Sequence, residues 1–218
     1  MPYRLVVFDW DGTLIDSEAR IVSCFQAAAA DLGLPLVPDS AVRNIIGLGL
    51  SQACGVLLPH LSVAGQLDVA ERYRHHFLSA HASPSKPFPG VPETLRWLHD
   101  RGYLLAVATG KSRRGLNREL EETGFGSWFV ATRCADESHS KPHPAMLLEI
   151  LEELAVAPGE ALMIGDTEYD MEMAHRAGVD RVAVSYGVHD MDRLQRWSPQ
   201  LCLDHLPGLM DWLVSHEP

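Results

Sequence analysis

Two aspartates separated by one residue, Asp9 and Asp11, follow a short apolar run, and a third, Asp166, follows another. Thr109 and Gly110 close a further apolar run, and Lys141 stands in the segment Lys141-Pro142-His143-Pro144. If the apolar runs are strands of an open α/β sheet, their carboxyl ends line one ligand crevice. Separate chain segments would then bring carboxylates, a hydroxyl, a glycine backbone and a lysine to one place. Clustered carboxylates repel one another unless a positive charge joins them. Asp9 and Asp166, with Asp170 in support, therefore ask for a hard cation, and oxygen donors in an open site favour magnesium, which bridges carboxylates to phosphate oxygens. Lys141 adds a charge suited to keeping Asp9 ionised and to neutralising a phosphoryl group.

The elements that must position these residues are readable from periodicity. Leu5–Phe8, Leu104–Ala108, Trp128–Ala131, Ala161–Ile164 and Val182–Val184 are apolar runs of strand length without helical spacing, as expected of strands covered on both faces. Pro92, Pro144 and Pro207 sit where a first helical residue would, and Gly102, Gly124 and Gly178 stand just past helix ends. From Val91 onward the chain thus alternates helix and strand, the pattern of a parallel sheet with right-handed crossovers.

The stretch from Asp16 to Ser83 shows no strand. Ile21, Phe25, Ala28 and Leu32 recur at helical spacing, as do Val69, Tyr73, Phe77 and Ala80. It closes on Ser83–Gly90, whose prolines and glycine read as a linker. The expected fold is α/β: a Rossmann-like open parallel sheet core from residues 1–15 and 85–218, with an inserted all-helical cap domain from 16–84.

Four segments in order resemble the motifs of the haloacid dehalogenase superfamily: Phe8-Asp9-Trp10-Asp11-Gly12-Thr13-Leu14, Ala108-Thr109-Gly110-Lys111, Lys141-Pro142 and Gly165-Asp166-Thr167-Glu168-Tyr169-Asp170. The likeness spans essentially the whole chain and looks most like the phosphoglycolate-phosphatase-like branch. It implies a magnesium-dependent phosphatase acting on a small phosphomonoester through an aspartyl-phosphate. By the same resemblance Asp9 is the nucleophile and a metal ligand. Asp11 is the acid and base and ligates through its backbone carbonyl. Asp166 is a direct ligand and Asp170 its support. Thr109, Gly110 and Lys141 hold the phosphoryl oxygens, and Thr13 steadies the Asp9–Asp11 loop. Asp11 matters most for the reaction, because an alkoxide leaving group needs a proton and a halide does not. Trp10 is bulkier than the aliphatic residue usual there, with little consequence expected. A phosphomutase of the same fold would keep every motif, and a non-catalytic phosphate-binding module would be expected to have lost one of them.

Composition bounds the rest. A net charge of −11 argues against a nucleic-acid partner, and no apolar run approaches the ~20 residues of a membrane span. Met1-Pro2 leads straight into the first strand without a signal pattern, so a cytoplasmic protein is expected, its partner a small phosphorylated metabolite. Cys24, Cys54, Cys134 and Cys202 form no C-x-x-C pair and read as reduced core thiols. Gly110-Lys111-Ser112 is not a nucleotide P-loop, since Leu105 stands where that loop needs glycine. Asp9-Trp10-Asp11-Gly12 has its glycine too early for a calcium loop, and Gly47-Leu48-Gly49 follows no strand. His139 and His143 lack the partners of a zinc site. His75, His76 and His81, with Arg113 and Arg114, read as solvated helix faces, as does the acidic run Glu119, Glu121 and Glu122. The loop Arg43–Ser51 is the expected substrate-facing part of the cap, with Arg43 in a surface ion pair.

Overall fold

The computed structural model describes residues 3–79 and 85–216. Met1, Pro2, Ala80, His81, Ser83 and Pro84, which bear on several of these expectations, lie outside the described residues.

The chain begins with β1 (Leu5–Phe8) and a two-residue β2 (Ile15–Asp16), then runs through α1 (Glu18–Asp31), α2 (Asp39–Asn44), α3 (Leu50–Leu57) and α4 (Val63–Phe77). It returns through β3 (Lys86–Pro87) into α5 (Val91–Asp100), β4 (Leu104–Thr109), α6 (Arg113–Thr123), β5 (Ala131–Cys134) and α7 (Ala145–Leu154). β6 (Ala161–Gly165), α8 (Glu168–Ala177), β7 (Asp180–Val184), α9 (Met191–Gln195), β8 (Leu201–Leu203) and α10 (Gly208–Ser215) complete it.

Six strands form a parallel sheet in the order β5-β4-β1-β6-β7-β8. Side chains alternate across a strand, and β1 shows the result. Val6 and Phe8 join one hydrophobic layer with Leu95 and Leu98 of α5, Leu116 of α6 and Leu209 of α10. Leu5 and Val7 join the opposite layer with Met146 and Ile150 of α7 and Met173 of α8. Being covered on both faces is why β1 reads as a continuous apolar run rather than an alternating one. The chain leaves β1 toward β4 and β5, then crosses to β6, β7 and β8, so the order reverses beside β1. Such a switch point opens a crevice at the carboxyl ends of the strands, and Asp9 is the residue after β1.

The four helices α1 to α4 bury a cluster of their own, centred on Ile21, Phe25, Val42, Ala53, Val69 and Phe77. Both connections to the sheet pass through one antiparallel ribbon, in which Ile15 pairs with Pro87 and Asp16 with Lys86.

Several expectations need correction. The run Trp128–Ala131 is not a strand: a 3-10 turn spans Phe125–Trp128, and β5 begins only at Ala131. β5 is an edge strand with a mixed burial pattern, so its Ala-Thr-Arg-Cys sequence carries no apolar run. The ribbon and β8 were too short to register, and β7 starts at Asp180, two residues before its apolar part. Pro144 and Pro207 precede their helices, and Pro92 is the second helical residue. Cys24, Cys54 and Cys134 are buried, whereas Cys202 is exposed.

Candidate active site

The amide of Asp9 still donates to the Ile164 carbonyl at 2.9 Å, which fixes its backbone to the β6 ladder. The chain then turns through Gly12 at φ 85°, where a Cβ would stand 2.3 Å from Asp166 Oδ2. Only glycine permits both that left-handed φ and that approach. Thr13, just beyond the turn, donates its hydroxyl to Asp166 Oδ1 at 2.7 Å, and the Val188 amide donates to Oδ2 at 2.9 Å. Asp170 lies in the first turn of α8, locked by the reciprocal cap at Thr167, whose amide and hydroxyl donate to Asp170 Oδ2 at 3.1 and 2.6 Å.

Lys141 sits in the turn before α7, fully buried. Its ammonium donates to Asp9 Oδ1 at 2.5 Å and to Asp170 Oδ1 at 2.6 Å. Donor oxygens of Asp9, Asp166 and Asp170 come within 4.8 Å of one another. Asp9 Oδ2, by contrast, is buried with no hydrogen-bond partner among the described residues. An orphaned carboxylate oxygen is costly unless something else meets it.

The electrostatics agree. Burial pushes Asp9 well above the usual carboxylate range against the pull of Lys141, and burial followed by the charge of Asp170 pushes Asp166 up to about 7. Burial works to lower Lys141, but the carboxylates of Asp170 and Asp9 outweigh it and raise the ammonium. Three carboxylates share one lysine, and the hard oxygen donors with their unmet oxygen fit a divalent cation.

Asp11 belongs to a different set. Its carboxylate accepts from the Ser17 hydroxyl at 2.6 Å, and its two oxygens both accept from the Lys111 ammonium, at 2.8 and 3.0 Å. Lys111 also reaches Glu119 at 3.3 Å, and the Trp10 indole donates to Glu119 at 2.5 Å. Arg20 stands 3.8 Å from the other Glu119 oxygen. Phe77 of α4 underlies both cations, 4.4 Å from Lys111 and 4.2 Å from Arg20, within range of a cation–π contact. Glu119 is thus 3% exposed, not part of a solvent face, and burial raises its carboxyl against the pull of Lys111. Trp10, completely buried, is a member of this network rather than an inert replacement. Its spacing gave a usable signal: Leu116 and Glu119 are three residues apart on the buried face of α6.

The loop between α2 and α3 roofs the crevice. The carbonyls of Gly47 and Leu48 press on Gly110, where a Cβ would lie 2.6 Å from each. Thr109 beside it is buried, and its hydroxyl accepts from the Lys111 amide at 3.1 Å. The Gly49 amide donates to Ser140 at 2.7 Å, and the Asn44 carbonyl accepts from Tyr169 at 2.8 Å. Arg43 instead pairs with Glu18 at 2.5 Å on the surface. Arg113 pairs with Glu137 and bonds Thr132, away from the carboxylates. Among the described residues, the only metal-competent group is the aspartate triad, and the rings of His139 and His143 lie tilted against each other with centroids 4.5 Å apart. No helix among them is long and apolar enough to cross a membrane.

The family model for haloacid dehalogenase-like hydrolases matches residues 6–184, and the chain belongs to that family. A relative from Dickeya dadantii strain 3937 named probable phosphatase IndB is 38% identical over 204 residues, covering 92% of this chain and 89% of its own. A phosphoglycolate phosphatase from Pseudomonas putida strain KT2440 is 33% identical, covering 95% of this chain and 78% of its own. The crystal structure of a haloacid dehalogenase-like hydrolase from Bacteroides fragilis superposes with a TM-score of 0.89 at 25% identity, over 95% of this chain and 99% of that one. Within the family, this chain is a phosphatase.

Proposed function

We propose that the chain hydrolyses small phosphomonoesters by transferring the phosphoryl group to Asp9, with magnesium bound in the crevice. The orphaned Asp9 Oδ2 carries this reading: it is the one carboxylate oxygen of the cluster left without a donor while its partner oxygen is held by Lys141. Lys141 fixes the direction of attack and offsets negative charge as the phosphoryl group arrives. Thr109 and the Gly110 amide supply further donors at the end of β4. Asp11 lines the adjoining cavity, where it protonates the departing alkoxide and then takes a proton from the water that cleaves the aspartyl-phosphate. Asp9, Asp166 and the Asp11 backbone carbonyl would hold the cation, with Asp170 and Thr13 supporting. Bound there, it would supply charge neutralisation at the phosphoryl oxygens.

In this reading the helical segment 16–84 is a cap over a core of 1–15 and 85–218, and its Gly47-Leu48 loop excludes water from the crevice. The partner is a small phosphorylated metabolite and the site of action the cytoplasm. The test is p-nitrophenol and phosphate release from p-nitrophenyl phosphate, with rapid mixing. A burst of p-nitrophenol equal to the enzyme, ahead of phosphate, is the expected result. Turnover without any covalent intermediate would remove Asp9 from its role.

A further inference from the structure

Glu119 does not reach the cavity beside Asp11, yet it holds Asp11 from two directions. Asp11 and Lys111 both line that cavity, whereas Glu119 is buried behind them. The first hold runs through side chains. The Lys111 ammonium stands 3.3 Å from Glu119 Oε2 and donates to both oxygens of Asp11. The second runs through the backbone. Trp10, joined to Asp11 by a peptide bond, donates its indole to the same Glu119 Oε2. One carboxylate oxygen thus closes a ring that passes from Glu119 to Lys111, to the Asp11 carboxylate, along the chain to Trp10, and back.

The far side of Glu119 is anchored as well. It projects from the buried face of α6 beside Leu116, and Arg20 of α1 stands 3.8 Å from its Oε1. Arg20 is itself tied to the Phe77 carbonyl at 2.7 Å, and the Phe77 ring underlies both Arg20 and Lys111. These contacts convert a flexible lysine, ordinarily a mobile point charge, into a donor at a fixed place. Ser17 meets only Asp11 Oδ1, which leaves the carboxylate free to turn about that bond, whereas Lys111 meets both oxygens and sets its plane. Orientation matters here because a general acid must come within about 2.6–3.2 Å of the atom it protonates, and a displacement of about 1 Å can cost roughly a hundredfold in rate. Buried ion pairs often add no stability over apolar residues of the same volume. A charged set packed behind a cavity is better explained by what it orients.

We propose that Glu119 is a positioning residue for the acid–base step, setting the direction of the Asp11 carboxyl through Lys111. This rests on the phosphatase reading and adds to it.

The experiment compares kcat/KM for phenyl phosphate and p-nitrophenyl phosphate within each variant, with magnesium present. Phenolate is the poorer leaving group and draws on the acid, whereas the nitro group lets p-nitrophenolate depart with little protonation. Because kcat/KM covers only the steps up to the aspartyl-phosphate, it reads the acid apart from the later use of Asp11 as base. Glu119→Gln keeps the shape of the side chain and removes its charge. Its phenyl to p-nitrophenyl ratio should fall about tenfold below that of wild type, a part of the roughly 10²–10⁴-fold that general acid–base catalysis contributes. Ratios taken within one variant are insensitive to any loss of folded protein, so a Glu119 that serves stability alone leaves them unchanged. A wild-type ratio in Glu119→Gln overturns the inference and leaves the phosphatase reading standing. Should that variant not fold, Trp10→Phe, which removes the indole donor from Glu119, decides in its place: a severalfold lower ratio is expected, and a wild-type ratio overturns the inference. Wild type active on p-nitrophenyl phosphate but inert toward phenyl phosphate also overturns it alone, since no acid step is then there to position. Failure of wild type to turn over either ester overturns both.

Discussion

Two lysines meet two groups of carboxylates within this crevice, and the groups are built oppositely. Lys141 faces Asp9 and Asp170, with Asp166 beside them, all fully or almost fully buried. Lys111 faces Asp11 and Glu119, but Arg20, Ser17 and Trp10 complete that set. The first group therefore carries more negative than positive charge and leaves Asp9 Oδ2 unmet. The second balances two acids with two bases. A buried charge excess calls for an ion, a substrate or a proton to complete it, whereas a balanced set holds itself together and can orient Asp11 within it. The comparison separates a set that an outside charge must complete from one in which Glu119, Arg20 and Trp10 support Asp11.

The sharpest way to break the comparison is Asp9→Asn. It should lower kcat by at least about ten thousandfold, as loss of a covalent nucleophile does elsewhere, with the fold intact by circular dichroism. Activity within about tenfold of wild type, ~1.4 kcal/mol, would move the chemistry to another residue. Next comes the ion. Chelation should abolish turnover and added magnesium restore it, and Asp166→Ala should raise the magnesium needed or end activity. Full activity after exhaustive metal removal would mean the charge excess is met some other way.

Glu119→Ala should act on the other cluster, as a loss of stability. Removing one partner of a buried pair costs about 3–5 kcal/mol, or very roughly 10 °C in Tm at this chain length, while the magnesium dependence of the remaining activity stays that of wild type. A changed magnesium requirement in Glu119→Ala would erase the division between the clusters. The smallest effect is in pH. Asp166 is raised to about 7, against an unfolded aspartate near ~3.9. The folded state then holds this proton more tightly than the unfolded chain, so its contribution to stability falls as pH rises between those values. Metal-free protein should lose more Tm than Asp166→Asn when pH goes from about 5 to about 7.5, and magnesium should remove the difference. Parallel pH curves for the two proteins would show that Asp166 titrates normally.

Two members of the charge-excess cluster were legible in the sequence because they stand at strand ends, where apolar runs stop abruptly at Asp9 and Asp166. The balanced cluster was not. Glu119 sits in Arg118-Glu119-Leu120-Glu121-Glu122, and the surrounding charges hid a residue whose spacing from Leu116 points inward. Trp10 was legible as an oddity but not as a donor, since its acceptor lies 109 positions away. The fold followed the same rule. Central β1, β4 and β6 carry apolar runs because both faces are covered, while edge strand β5 and the outer β8 lack that pressure.

The ribbon of β2 and β3 has a consequence for how the molecule can change over time. Because Ile15 and Asp16 pair directly with Pro87 and Lys86, the sheet sees everything between them as a closed loop with ends a strand's width apart, about 5 Å. Closure entropy grows only logarithmically with loop length, and the ribbon fixes the ends whatever lies beyond. Helices can therefore be lengthened, exchanged or rebuilt beyond the stem at little expense to the sheet and its carboxylates. The helices beyond the stem can change while Asp9, Lys141 and Asp166 are inherited unaltered.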